Sequence, residues 1–236
     1  MKLKVLAIDT AAIVATACVM DDDKLIAEHI SNHKKTHSQT IMPMIKNLLD
    51  SVELKADDID CFASAIGPGS FTGIRIGVAT VKGLAHALEK PIVGVSTLAG
   101  LAYNVPFSEF DIYPIMDARR DQVYNGVYSF KGERLNCIKD DRAISIEDVI
   151  DEVFEGGKKV LFLGDGVHVH KRRLETTLGE LALFVPNHCN MHRASSIAQL
   201  AMYKIYLGET QSYLDFAPSY LRKSQAEREA EYTKTC

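Results

Sequence analysis

The sequence predicts an α/β fold of two lobes that share one order of elements: three strands, a helix, a strand and a helix. Three observations support this fold. Both halves of the chain open with three short apolar or alternating segments separated by polar turns. In both halves, segments with apolar residues at helical spacing follow these strands. The 236 residues, 47% of them hydrophobic, suffice for a core of this size.

The first half contains compact apolar runs, which predict strands, and one well-defined amphipathic helix. The aspartates at 21–23 form a polar turn between the second and third strands. Pro43 lies inside the amphipathic segment and predicts a late start or a kink. The predicted elements are strands Leu3–Ile8, Ile13–Met20 and Lys24–Ile30, helix Ser38–Val52, strand Cys61–Ile66, helix Thr72–Leu88, strand Pro91–Val95 and a short helix through Ala102 that Ser96 caps.

The second half follows the same order, without a residue-level repeat. Ser145, with Asp148 three positions later, has the pattern of a capping box. The polar stretch around Pro106 predicts the boundary between an N-terminal lobe, 1–106, and a C-terminal lobe, 107–236. The predicted elements are strands Ile112–Met116, Gln122–Phe130 and Arg134–Ile138, helix Ser145–Phe154, strand Lys159–Leu163, helix Val167–Leu178, strand Leu181–Val185 and helix Ala194–Leu207.

Composition and charge argue against several classes of protein. A net charge of −4 does not favour autonomous nucleic-acid binding. The five cysteines contain no CxxC pair, which is typical of a reduced chain without a zinc ribbon. The N-terminal apolar run ends at Asp9, too early for a signal peptide or a membrane span, so we expect a cytoplasmic protein.

Histidine spacing gives little reason to expect a metal site. His33 and His37 are four apart, but no acidic residue lies between them. The histidines near Gly164–Gly166 and Pro186 are interpreted as loop or surface residues; they are His168, His170, His188 and His192. We therefore predict no metal site and no firmly bound cofactor.

The duplicated order is that of the actin-like ATPase class, whose fold is ribonuclease H-like, and it suggests a cleft between the lobes. Acids and hydroxyls end the first strand, a glycine-rich turn precedes a helix, and a charged cluster ends the first strand of the second half. A structural turn remains an alternative for each. The candidate nucleotide or ligand cleft consists of Asp9, Thr10, Gly67, Gly69, Ser70, Asp117 and Arg119.

The helix after the glycine-rich turn has small residues at a spacing of four. Gly73 and Gly77 form one stripe, and Ala79, Gly83 and Ala87 form another. Because glycine destabilises a helix by roughly 1 kcal/mol relative to alanine, such a stripe suggests close approach of another backbone. Packing onto the protein's own sheet and docking of a partner helix both remain open.

Several motifs together resemble the TsaB (YeaZ) family, a subunit of the bacterial machinery that makes N6-threonylcarbamoyladenosine in tRNA. The motif 67–77, Gly-Pro-Gly-Ser-Phe-Thr-Gly-Ile-Arg-Ile-Gly, is the most specific. The supporting segments are Leu6–Thr10, His37–Ser38 with Pro43, Pro91–Leu98, Asp117–Arg119 and Pro218–Arg222. In the last of these, Tyr220 and Leu221 are expected to be buried.

The resemblance implies a non-catalytic scaffold. In the catalytic paralogue, TsaD, two metal-binding histidines occupy the positions that match Thr97 and Leu101, and neither residue here can replace an imidazole ligand. The implied partners are a TsaD-like catalytic subunit and a TsaE-like ATPase, with tRNA met only through the complex. The alternative is a stand-alone actin-like nucleotide-binding phosphotransferase or ATPase.

The resemblance places the TsaD contact on the two helices of the N-terminal lobe. The same apolar surface should form a homodimer when the partner is absent, and a weak nucleotide site is expected at the complex interface. A Gly77→Leu variant is expected to lose TsaD binding and stay folded. The side chains and glycines expected to be exposed for docking are Ile41, Met42, Ile45, Gly73, Ile76, Gly77, Thr80 and Val81.

Overall fold

The computed structural model describes residues 2–33 and 36–222 and contains two sheets with helices packed against them. The strands are β1 (Lys4–Asp9), β2 (Ala15–Asp21), β3 (Leu25–Ser31), β4 (Cys61–Gly67), β5 (Ile92–Ser96), β6 (Asp111–Asp117), β7 (Gln122–Lys131), β8 (Arg134–Ser145), β9 (Val160–Leu163) and β10 (Ala182–Phe184). The helices are α1 (His37–Ser51), α2 (Phe71–Leu88), α3 (Thr97–Ala102), α4 (Ile146–Gly156), α5 (Asp165–Leu178) and α6 (Ala194–Tyr206).

The two sheets have the same topology. The first has the order β3-β2-β1-β4-β5, and the second, β8-β7-β6-β9-β10, repeats it. In each sheet the first three strands are antiparallel and the last two join in parallel, because a helix connects them. The predicted duplication of element order is confirmed.

Helices cover both faces of the first sheet. Ile8 lies beside Gly77 of α2, whereas the next residue of β1, Asp9, contacts His192 just before α6. Because neighbouring strand residues point to opposite faces, α2 and α6 lie on opposite sides of β1. α1 packs beside α2 and against β2, and α3 contacts strands of both sheets. α6 follows the second sheet in sequence but packs on the first, and the lobe division at residue 106 stays a prediction.

The predicted N-terminal caps of α3 and α4 are confirmed. The Ser96 hydroxyl accepts a hydrogen bond from the Ala99 N–H (3.1 Å) and caps α3. Ser145 and Asp148 form the reciprocal capping box at the start of α4. Such caps depend on residues three positions apart, which explains why sequence alone located them.

The start of α1 and the length of β8 depart from the prediction for reasons that packing explains. α1 begins at His37 and continues through Pro43, so the predicted late start is wrong. Pro43 lies on the exposed side, and burial of Ile41, Ile45 and Leu48 holds the helix against the sheet. β8 extends to Ser145, beyond the predicted end at Ile138, because it pairs with β7 along its length.

No helix among the described residues is both long and apolar enough to cross a membrane.

Candidate ligand cleft and docking face

The turn after β1 is buried and engaged with its own chain. Asp9 is 1% exposed, and its Oδ1 accepts a hydrogen bond from the Ala11 N–H (2.8 Å). Its Oδ2 lies 3.0 Å from Nδ1 of His192. Both carboxylate oxygens therefore have protein partners, and Asp9 is not presented to an open cleft.

The glycine-rich turn closes onto the turn after β1. The Ser70 N–H donates to the Ala11 carbonyl (2.7 Å), and the Thr10 hydroxyl donates to the Gly73 carbonyl (2.8 Å). A Cβ atom on Gly69 or Gly73 would overlap the carbonyl oxygen of Ala11 or Thr10. These glycines permit close packing within the chain, which is the structural alternative for this turn.

The first residue of that turn, Gly67, is held by the C-terminal segment. Gly67 has φ 125°, a conformation that L side chains rarely adopt, and a Cβ there would overlap the Ser219 carbonyl. The Ser219 N–H donates to the Ile66 carbonyl (2.8 Å). Ser70 caps α2, because its hydroxyl accepts from the Gly73 N–H (3.2 Å).

The C-terminal segment is fixed by stacking more than by burial. The rings of Phe71 and Tyr220 stack with centroids 4.4 Å apart, and the Arg75 Nε–H donates to the Tyr220 hydroxyl (2.8 Å). Tyr220 and Leu221 are 40% and 37% exposed, so their predicted burial is wrong. An aromatic face and a guanidinium supply the contact instead.

The turn after β6 is open. The Asp117 carboxylate accepts from the Arg119 N–H (2.8 Å), and both side chains are exposed. Arg119, Arg120 and Asp121 all have positive φ, between 56° and 63°. The structure brings four of the seven candidate cleft residues together: Asp9, Thr10, Gly69 and Ser70. Gly67 begins the same turn but lies against Ser219, and Asp117 and Arg119 lie at the end of the second sheet.

Asp165 and His192 link these two turns, and sequence analysis assigned a role to neither. Asp165 Oδ1 accepts from the Asp117 N–H (3.1 Å). Burial raises the pKa of the Asp165 carboxyl, and His192 opposes that rise. Burial alone lowers the pKa of His192, but the charge and hydrogen bond of Asp9, with the charge of Asp165, outweigh it and raise that pKa above its usual value.

The interpretation of His170 as a loop or surface residue is wrong, because His170 is buried within α5. His192 does lie in a loop, but its side chain is buried. His192 pairs with a residue 183 positions away, and no local pattern indicates such a contact. The sequence held one indication of this contact: Asp9 ends a buried strand, and a buried carboxylate needs a polar or charged partner.

The predicted exposure of the docking residues is wrong for most of them. Val81 is 0% exposed and Ile41 1%, because these side chains form the core between the helices and the sheet. Met42 is 46% exposed. Ile76 and Thr80 are half-buried, and the members that are buried are Ile41, Ile45, Gly73, Gly77 and Val81.

The two small-residue stripes of α2 point in different directions. A Cβ on Gly77 would lie 2.5 Å from the Thr10 hydroxyl oxygen, so this stripe faces the first sheet. A leucine at position 77 would therefore push against the first sheet, so the effect of Gly77→Leu on folding stays a prediction and the variant does not test docking alone. Gly83 has no atom within 4 Å of its Cβ direction, and Ala79 and Ala87 are exposed with it. The second stripe is the free surface of α2.

A separate groove lies beside α1 and includes no residue of α2. It has a volume of about 680 Å³ and lies between β3 and α1. Its walls include Ile30 and Ser31 of β3 and Pro43, Met44 and Asn47 of α1. It contains none of the candidate cleft residues.

Thr97 and Leu101 lie in the interior. They are 0% and 1% exposed, and Gly100, which precedes Leu101, packs against Ile197 of α6. Thr97 and Leu101 are therefore core residues of α3.

Comparison with known proteins places the chain in a family. A family model described as "TsaD: tRNA N6-adenosine threonylcarbamoyltransferase" matches residues 24–230. The tRNA threonylcarbamoyladenosine biosynthesis protein TsaB of Bacillus subtilis is 36% identical over 225 residues, which cover 95% of this chain and 96% of that protein. The chain belongs to the TsaB family.

Solved structures agree with the TsaB assignment. A protein of Pseudomonas aeruginosa described as similar to peptidase YeaZ superposes with a TM-score of 0.79 at 25% identity, covering 93% of this chain and all of that one. YeaZ of the same organism gives 0.77 at 24% identity, with the same coverage. Component A of (R)-2-hydroxyglutaryl-CoA dehydratase from Acidaminococcus fermentans gives 0.50 at 12% identity and shares the fold alone.

The comparisons confirm the predicted TsaB resemblance and the fold class. The predicted role in tRNA threonylcarbamoyladenosine biosynthesis is confirmed at the level of the family, through the names of its curated members.

Proposed function

We propose that this chain is the non-catalytic scaffold and activating subunit of N6-threonylcarbamoyladenosine formation on the tRNA adenosine beside the anticodon. It binds a TsaD-type catalytic subunit directly and supports a TsaE-type ATPase, and it meets tRNA only through the assembled complex.

The observation that supports a non-catalytic role is the closed turn after β1. A nucleotide site there would need free backbone N–H groups and a free carboxylate. The Ser70 N–H donates to Ala11, and Asp9 is paired with Ala11 and His192. The burial of Thr97 and Leu101, neither of them a metal ligand of the histidine type, points the same way.

The exposed side of α1 and α2 supports a docking role. Met42 of α1 and Ile76 and Thr80 of α2 remain from the predicted contact set, and the open stripe contributes Ala79 and Gly83. Small residues on a helix surface let a partner helix approach closely. The same surface would pair two copies of this chain when the partner is absent.

The test is size-exclusion chromatography with light scattering on the chain alone and with its cognate TsaD-type protein. We expect a homodimer that converts to a one-to-one heterodimer. Gly83→Arg places a long cation on the proposed face and should abolish both species. Gly156→Arg is the matched control, because Gly156 also has open space at its Cβ but lies on α4 of the second half.

The outcomes separate the docking face from the scaffold role. Normal assembly by Gly83→Arg, with an unchanged circular dichroism spectrum, would move the contact away from α2. Absence of any complex between two folded wild-type proteins would overturn the scaffold proposal and bring forward nucleotide binding by this chain alone.

Activity and nucleotide binding complete the test. In a mixture of the three proteins with tRNA, ATP and threonylcarbamoyl-adenylate as the donor, leaving out this chain should abolish threonylcarbamoyladenosine formation. Asp117→Ala or Arg119→Ala should leave the mixture active. Calorimetry should detect no nucleotide binding to the chain alone and a weak site on the complex. Tight binding to the isolated chain would contradict the proposal.

A further inference from the structure

After α6, the segment Gln211–Arg222 forms a strap that begins at the edge of the first sheet. The Gln211 N–H donates to the Ile92 carbonyl of β5 (2.8 Å), and the Ile92 N–H donates to the Gln211 carbonyl (3.0 Å). Phe216 is 2% exposed and lies against Gly94 of the same strand. Backbone pairing and the burial of one large ring therefore anchor the start of the strap.

The strap then follows one face of α2 towards the N-terminal end of that helix. The rings of Tyr213 and His86 have centroids 4.5 Å apart, and the Lys82 ammonium donates to the Phe216 carbonyl (3.1 Å). The Tyr220 contacts with α2 come next, at helix positions 71 and 75. Residues four and seven positions apart share one face of a helix, so the strap and α2 are packed along their length.

The far end of the strap holds the glycine-rich turn. The Ser219 N–H donates to the Ile66 carbonyl (2.8 Å), and the Ser219 carbonyl occupies the space that a Cβ on Gly67 would need. The Tyr220 ring stacks on Phe71, the first residue of α2 (4.4 Å between centroids). Neighbouring residues of the strap thus fix both the first residue of the turn and the start of the helix that follows it.

The last described residue of the strap reaches the second half. Arg222 is half-buried, and its Nη1 donates to the Ala118 carbonyl (3.2 Å), in the turn after β6. In that turn Arg119–Asp121 all have φ between 56° and 63°. Three successive L side chains in this conformation are unfavourable, so neighbouring groups must hold them. The Arg222 guanidinium is one such group, and the Asp117 carboxylate, which accepts from the Arg119 N–H, is another.

We propose that the strap is a coupling device, which holds the glycine-rich turn of the first half and the strained turn of the second half in place together. Release of Tyr220 from α2 loosens both turns, because Ser219 precedes it directly and Arg222 follows two residues later. Release of Arg222 alone loosens only the turn of the second half. The first turn therefore acts on the second through the strap.

Hydrogen exchange of the full-length chain, measured amide by amide by NMR, tests this proposal. The first-turn reporters are the amides of Ser70 and Ile74, which donate to Ala11 and to Ser70. The second-turn reporters are the amides of Ala118 and Gln122, which donate to the carbonyls of Gln122 and Arg119. Local opening of either turn breaks these hydrogen bonds and speeds exchange at its own reporters.

Two substitutions release the strap at different points. Tyr220→Ala removes the stacked ring, and we expect exchange about tenfold faster at the reporters of both turns. Arg222→Ala should give a similar increase at the second-turn reporters and no change at the first-turn reporters. In the double variant the second turn should exchange no faster than in Tyr220→Ala, because release of the strap already removes the Arg222 contact.

Tyr206→Ala is the matched control. Tyr206 is also an exposed tyrosine with a hydrogen-bonded hydroxyl, which donates to Asp22, but it ends α6 and lies outside the strap. This substitution should leave the reporters of both turns unchanged. An unchanged circular dichroism spectrum of each variant shows that the fold is retained.

Three results would overturn the proposal. The first is a Tyr220→Ala effect that is absent or confined to the first turn. The second is an Arg222→Ala variant whose second turn exchanges as in the wild type. The third is a pair of effects on the second turn that add in the double variant, because the two contacts would then act independently. Docking to a TsaD-type partner is tested separately at Gly83, so each of these results leaves the proposed function standing.

Discussion

The turns after β1 and after β6 occupy the same place in the two halves and begin in the same way. In each, the aspartate that ends the strand accepts a hydrogen bond at 2.8 Å from the N–H two residues later, Ala11 for Asp9 and Arg119 for Asp117. Beyond that shared turn they diverge. The first is buried under α2 and paired with His192, whereas the second is exposed.

The turns that follow the fourth strand of each half show a related pairing. Gly67 and Gly164 both have positive φ, and a Cβ on either would overlap a carbonyl oxygen, of Ser219 or Ile115. A duplicated topology thus repeats the backbone requirements of its turns while leaving their side chains free to change. In the first half, the turns after β1 and β4 pack against each other.

Two glycines of α2 face the buried turn and the solvent respectively, so substitutions at them should have opposite effects on stability. Gly73→Ala should lower the free energy of unfolding by about 2 kcal/mol or more, because its Cβ would overlap the Thr10 carbonyl. Gly83→Ala should raise it by about 0.5–1 kcal/mol, because the site is open and alanine favours the helix. Urea unfolding measures both, and equal effects would mean that α2 does not seal the first turn.

The two aspartates test whether the turns differ in energy as they do in burial. Asp9→Ala should destabilise the protein by about 3 kcal/mol or more, since it leaves His192 buried without its partner. Asp117→Ala should change stability by less than about 1 kcal/mol, because its side chain is exposed. Thermal unfolding at pH 7 distinguishes the two variants. A large loss of stability for Asp117→Ala would contradict the inference that the exposed turn contributes little.

Substitution of the two capping serines measures what one contact between the halves adds to stability, because Ser96 also bonds to the second half and Ser145 only caps its own helix. Ser145→Ala removes one cap and should cost about 1 kcal/mol. Ser96→Ala should cost about 2 kcal/mol, because Ser96 also donates to the half-buried Asp141 of β8 (2.5 Å), which loses that partner. Chemical unfolding compares the two variants; a smaller loss for Ser96→Ala would exclude a contribution from this contact.

Substitution of charged residues that are wholly or partly exposed should have the smallest effects on stability. Hydrogen bonds from Arg142 (2.6 and 2.7 Å) lower the pKa of Glu152. Its contribution is therefore present above the usual glutamate value and is lost as pH falls. Glu152→Gln should cost about 1 kcal/mol at pH 7 and less at pH 3, below the usual glutamate pKa. Asp50→Asn, in an exposed pair with Lys46, should cost less than about 0.5 kcal/mol. Unfolding midpoints at both pH values provide the measurement.

The candidate site was predictable in part. Asp9, Thr10 and the glycine-rich turn do come together, because strand ends of one sheet meet at one edge. The docking helices were predicted correctly as helices, but the apolar face of α1 was assigned to a partner when it covers the sheet. Periodicity identifies an apolar face and does not say whether the protein's own sheet or another chain covers it.

Features that depend on nearby residues could be predicted from the sequence alone. They are the strands and helices, the caps at Ser96 and Ser145, and the motifs of the TsaB family. The tertiary structure decided which face of α2 is free, how the glycine-rich turn closes, and that His192 meets Asp9 across 183 positions. Such contacts form only when segments that are far apart in the chain pack together, and no local spacing of residues indicates them.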